Sequence, residues 1–108
     1  MEPTVSQKDK KIGAPSIEAL IENQWEIMNE LKEMLKDPEL TVEEKTRVAN
    51  AFAFQANTLN RLMKKNGIEK DSFEEQNLGD YLKGVEPRIF RHVRRDFRVW
   101  KRALSLRR

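Results

Sequence analysis

"TVEEKTRVANAFAFQANTLNRLMKKNG", residues 41–67, decides the fold of this chain. Thr41 and Glu44 have the spacing of a capping box. The threonine oxygen accepts from the Glu44 amide while the glutamate reaches back to the Thr41 amide. Behind the box, Val48, Ala49, Phe52, Ala56, Leu59, Leu62 and Met63 recur at steps of three and four. That is the period of a helix with one apolar face. One core-type slot on the face is polar, Gln55. At the far end Gly67 can take the left-handed conformation that lets Ile68 fold back onto Met63.

Upstream, "KDPEL" at 36–40 ends a preceding element, because Pro38 disfavours helical geometry at Asp37. Before it, Ile17, Leu20, Ile21, Ile27, Met28, Leu31, Met34 and Leu35 fill heptad positions a, d and e, with Gln24 in one a slot. Ser16 is placed to cap that helix. Residues 1–15 are polar, with Pro3, Gly13 and Pro15, and read as a mobile arm. Two helices joined by so short a loop form an antiparallel hairpin over residues 16–68. Folded about the loop, Gln24 comes level with Gln55 or its neighbour. A paired polar layer in an apolar seam fixes register or oligomeric state at some cost in stability. The competing reading puts both amides at the seam's edge, in water. Trp25 and Phe54 fall at similar heights off the main stripe. They imply a second buried surface, covered by the C-terminal helix or by another copy. Trp25, Phe54, Gln24 and Gln55 are thus the candidate oligomer-interface residues, with a dimer expected over a ring.

Downstream, residues 69–108 hold a short helix and a long basic one. In "DSFEEQNLGDYLKG", 71–84, Ser72 and Glu75 give a second capping signal, and Phe73, Leu78, Tyr81 and Leu82 are candidate anchors. Gly79 weakens the element by roughly 1 kcal/mol relative to alanine. Pro87 suits the first turn of the final helix. There Ile89, Phe90, Val93, Phe97, Trp100 and Leu104 form an apolar stripe, and most remaining positions are cationic. Residues 87–108 hold nine Lys/Arg against one acid, a balance of +8, whereas residues 1–86 hold twelve against seventeen, or −5. The aromatics at helical spacing read as core. The cations require something anionic nearby. Three candidates stand: nucleic-acid phosphates; the acidic stripe Glu18, Glu22, Glu26 and Glu30, in the same chain or a neighbour; and an anionic membrane surface or partner groove.

Other chemistry has little to stand on. Without cysteine there is no disulfide or thiolate metal site, and an intracellular, cytoplasmic setting is expected. The N-terminus lacks the apolar core of a signal peptide, and no apolar run is long enough to span a bilayer. The single histidine, His92, has Asp96 four residues on but no nucleophile in a recognisable motif, so no enzyme is expected. The scattered glycines form no phosphate-cradling loop, and no metal or cofactor is called for. At 38% apolar residues the core is thin, which favours burial against further copies or a partner.

"DPELTVEEKTRVANAFAFQANTLNRLMKKNGI", residues 37–68, resembles the second half of the helical hairpins that oligomerise small terminase subunits of tailed phages. The likeness lies in the Pro-Glu-Leu loop, in Glu43, Glu44, Lys45 and Arg47, in the small-residue middle and in Leu59 to Leu62. It implies a ring-forming DNA-recognition subunit, not an enzyme, that supports genome packaging in a host cytoplasm. That family carries a helix-turn-helix before the hairpin, where this sequence has only the polar arm. DNA binding would therefore fall to the C-terminal helix. The expectation from the residues is an all-α, oligomeric, non-enzymatic nucleic-acid-binding protein, with double-stranded DNA as the foremost partner. Arg88, Arg91, Arg94, Arg95, Arg98, Lys101 and Arg102 would contact phosphate. The alternative is an adaptor or inhibitor whose basic helix docks on an acidic protein.

Overall fold

Local caps set the boundaries of the first two helices. In the computed structural model, which describes residues 16–68 and 73–106, the regular elements are α1 (Ile17–Lys36), α2 (Val42–Lys65), a 3-10 turn (Glu75–Asn77) running into the single-turn α3 (Leu78–Tyr81), and α4 (Pro87–Leu106). The protein is all-helical, with no strand among the described residues. Ser16 Oγ accepts from the Ala19 amide at 3.1 Å and opens α1. Asp37, the residue before Pro38, is extended and closes it. The capping box forms: Glu44 N donates to Thr41 Oγ1 at 3.1 Å and Thr41 N donates to Glu44 Oε1 at 2.9 Å. Gly67 takes φ 73°, and Ile68 N reaches the Met63 carbonyl at 2.7 Å, completing the C-terminal cap of α2. The polar arm over residues 1–15 and the capping signal at Ser72 lie outside the described residues. At the 3-10 turn, Asn77 Oδ1 accepts from the Glu74 amide at 3.1 Å.

α2 is the centre of the molecule. It packs against α1 on one side and α4 on the other, while α1 and α4 scarcely meet. Ala49, Ala53 and Ala56 are fully buried and let both neighbours approach closely. Met28 and Leu35 of α1 close on one side of α2, and Ile89, Val93, Phe97 and Leu104 of α4 are buried on the other. Each such side chain contributes about 1.5–3 kcal/mol when fully removed from water.

Residues 73–86 form a strap across one face of this layer. Phe73, Leu78 and Leu82 are buried beneath it. Phe73 stands edge-on to Trp25 at 5.9 Å and to Phe52 at 5.8 Å, and Tyr81 closes the cluster at 4.9 Å from Phe73. Asn60 holds the strap's start, exchanging hydrogen bonds with both the amide and the carbonyl of Phe73. At its other end Gly84 (φ 93°) lies 3.6 Å, measured from where a Cβ would stand, from the Lys36 side chain, and Glu86 pairs with the buried Lys45 at 3.6 Å. The strap thus returns the chain to the start of α2 before α4 begins. α4 consequently runs alongside α2 in the same direction, with Asn57 Nδ2 donating to the Phe97 carbonyl at 2.9 Å.

The off-stripe aromatics go separate ways. Trp25 lies in the strap cluster, and Phe54 packs edge-on against Trp100 of α4 at 4.7 Å. Gln24 Nε2 donates to both the side chain and the carbonyl of Gln55, the latter at 3.3 Å, in a partly buried layer. All four candidate oligomer-interface residues are therefore engaged within the chain. The heptad stripe of α1 is not fully used: Leu20, Ile27 and Met34 remain 36%, 41% and 42% exposed.

Candidate nucleic-acid interface

α4 is a strongly amphipathic helix whose two faces have separate fates. Ile89, Val93, Phe97 and Leu104 are buried against α2, with Phe90 and Trp100 half-buried beside them. At 100° per residue, the line directly opposite carries Arg88, Arg91, Arg95, Arg98 and Arg102. This outward ridge runs about 21 Å, fourteen residues at 1.5 Å each. Arg94 and Lys101 flank it on the side of the strap. All seven cations are exposed.

Their partners divide the ridge in two. Arg98 donates through Nε and Nη2 to Glu75 Oε2 at 3.0 and 2.6 Å. Glu74 lies 3.5 Å from Lys101 and 3.5 Å from Lys64 of α2. The strap's acids therefore hold the flank of α4. The hydrogen bond from Arg98 holds the Glu75 carboxyl below its usual range, helped by the charges of Arg98, Arg94 and Lys101 against the opposing effect of burial. Arg95 lies 3.6 Å from Asp96 and donates to His92 Nδ1 at 3.0 Å, so this imidazole nitrogen acts as an acceptor. Arg94 lies over the Phe90 ring at 5.6 Å. Arg88, Arg91 and Arg102 have no ion-pair partner among the described residues.

Among the described residues, this helix makes no ion pair with the acidic stripe of α1. Glu18, Glu22, Glu26 and Glu30 are exposed, have no ion-pair partner among the described residues, and sit across α2 from the ridge. Where α2 and α4 end side by side, a cleft of about 730 Å³ opens, rimmed by Arg61, Lys64, Lys65 and Lys101 over Leu62 and Leu104. It extends the positive surface from α4 onto α2. Sequence reasoning missed this extension and the role of Glu74 and Glu75. The spacing of Lys64 and Lys65, three and four residues after Arg61, was visible, but nothing in it showed that α4 would end beside them.

Among the described residues no His, Asp and Glu cluster is placed to hold a metal ion, and no helix is long and apolar enough to cross a membrane. No family model matches the chain, and no curated protein or solved structure matches it either.

Proposed function

We propose that this chain is a non-enzymatic nucleic-acid-binding protein, acting as an oligomer built on the α1–α2 helical hairpin, with double-stranded DNA seated along the arginine ridge. The observation that carries the reading is the line Arg88, Arg91, Arg95, Arg98 and Arg102, exposed and directed away from the core along one rigid helix. Arginine offers a planar fork of donors suited to phosphate oxygens. Duplex DNA carries one charge per about 1.7 Å of axis, so a ridge of this length meets a dense row of them. Contacts of this kind bind strongly at low salt with little preference for sequence. The likeness of residues 37–68 to the oligomerising segment of phage small terminase subunits extends the proposal to recognition of a viral genome for packaging.

A membrane surface is the weaker reading. A lipid-seated helix buries its apolar face in the acyl boundary, and here that face is occupied by α2. An acidic protein partner keeps one supporting observation, the seating of Glu74 and Glu75 on Lys101 and Arg98. Replacing Arg91, Arg95 and Arg102 together by glutamate separates the readings. The expected outcome is loss of binding to labelled duplex DNA, at least tenfold at low salt, with helical content unchanged. Undiminished DNA binding by that variant rejects the ridge as the binding surface, and no DNA binding by the wild-type chain at low salt leaves the adaptor reading in its place.

A further inference from the structure

The strap covers only one face of the helical layer. On α1 it touches Trp25, Asn29 and Lys32, through the Phe73 and Tyr81 rings and the Tyr81 hydroxyl. The apolar residues left exposed, Leu20, Ile27 and Met34, recur every seven residues on the other side of that helix. A strict seven-residue spacing is the seam of a helix that packs on another helix. On α2, the same open face carries two small residues seven apart, Ala51 and Thr58. The Thr58 hydroxyl is turned back onto the Phe54 carbonyl at 3.0 Å, which leaves little polar demand at that position.

Heights along the two helices are fixed by the bond between Gln24 and Gln55. Counting from that pair, Leu20 stands level with Thr58 within one residue, Ile27 with Ala51 within one, and Glu30 with Arg47 within two. These relations hold within one copy and are kept by a two-fold axis running along the helices. Such an axis lays α1 of one copy over α2 of the other. Large side chains then face small ones, Leu20 over Thr58 and Ile27 over Ala51. Beside that seam, Glu30 of each copy meets Arg47 of the other. Both are exposed and without an ion-pair partner among the described residues. A two-fold axis across the helices would instead set α1 on α1, with Glu26 and Glu30 facing their own kind.

We infer that two copies of the chain associate through the open face of α1 and α2 into a four-helix arrangement, Leu20 and Ile27 packing on Thr58 and Ala51 of the second copy and Glu30 pairing with Arg47. One chain supplies the knobs, the hollows and both charges, which is the self-complementarity a two-fold interface needs. The inference specifies the oligomer that the nucleic-acid reading invokes, and the ridge of α4 stays outside the contact.

The test is the mass in solution, measured by sedimentation equilibrium over a dilution series. The wild-type chain is expected at twice its 12.8 kDa at high concentration. Ile27→Glu is expected at the single-chain mass with its helical signal intact, since Ile27 is 41% exposed within one copy. Glu30→Arg and Arg47→Glu are each expected to weaken the dimer, and the double swap to restore it. A single-chain mass for the wild type at every concentration overturns the inference. So does an Ile27→Glu chain that still dimerises, or a double swap no tighter than its parents. Duplex-DNA binding by Ile27→Glu tests the ridge separately: it persists, weakened by lost avidity, if the ridge binds phosphate whatever the assembly.

Discussion

One carboxylate oxygen of Glu75 accepts both bonds from Arg98, and this small contact does two things. It ties the strap to α4, and it withdraws one arginine from the outward ridge. Because the folded chain keeps Glu75 ionised below its ordinary range, the folded state takes up a proton less readily there than the unfolded one. The stabilisation is therefore complete above the ordinary carboxylate range and is lost as pH falls through the lowered folded-state value. Glu75→Gln should lower the thermal midpoint slightly at neutral pH, with the gap to wild type closing as the solution is acidified. A gap that stays constant with pH would show that the pair contributes nothing through ionisation. The same substitution frees Arg98 and should tighten DNA binding if the ridge is the binding surface.

At the scale of elements, the strap is the least obvious part of the fold. Asn60 meets both backbone groups of Phe73 from a buried position on α2. Removing a buried hydrogen-bonding side chain leaves its partners unsatisfied, at about 1–3 kcal/mol. Asn60→Ala should therefore speed amide hydrogen exchange over residues 73–86 while leaving the middle of α1 protected. Uniform exchange across the chain would mean that strap and helices open only together. The caps of α1 and α2 were legible in the sequence because Ser16, Thr41, Glu44 and Gly67 act on their immediate neighbours. The apolar stripe of α4 was legible for the same reason, a period of three and four. The second seam of α2 was hidden, because two of its buried residues, Asn57 and Asn60, are polar and break the periodicity. Their burial depends on the carbonyls of Phe97 and Phe73, forty and thirteen residues away. The exposure of Leu20, Ile27 and Met34 was likewise beyond local pattern, since it depends on which face the strap covers. Of the candidate site, the outward line of arginines was readable from spacing alone. The acids that engage its flank were not.

Across the whole molecule, charge is sorted by position. The acidic stripe Glu18, Glu22, Glu26 and Glu30 of α1 and the arginine ridge of α4 lie on opposite sides of α2. Such separation costs self-repulsion at each side and gives the molecule a strong directional field, which steers encounters with charged partners. A dimer through the open face would carry two ridges, and two modest sites on one particle multiply affinity without new contacts. The most direct test of the central claim is the affinity for labelled duplex DNA over a series of salt concentrations. Each neutralised phosphate contributes about 0.9 to the slope of log affinity against log salt, so the four ridge arginines outside the Glu75 pair give a slope of about −3.6 per chain. Replacing Arg91, Arg95 and Arg102 by alanine should flatten it by roughly 2.7. A slope near zero in the wild type, or one unchanged by those three substitutions, would contradict a phosphate-binding ridge.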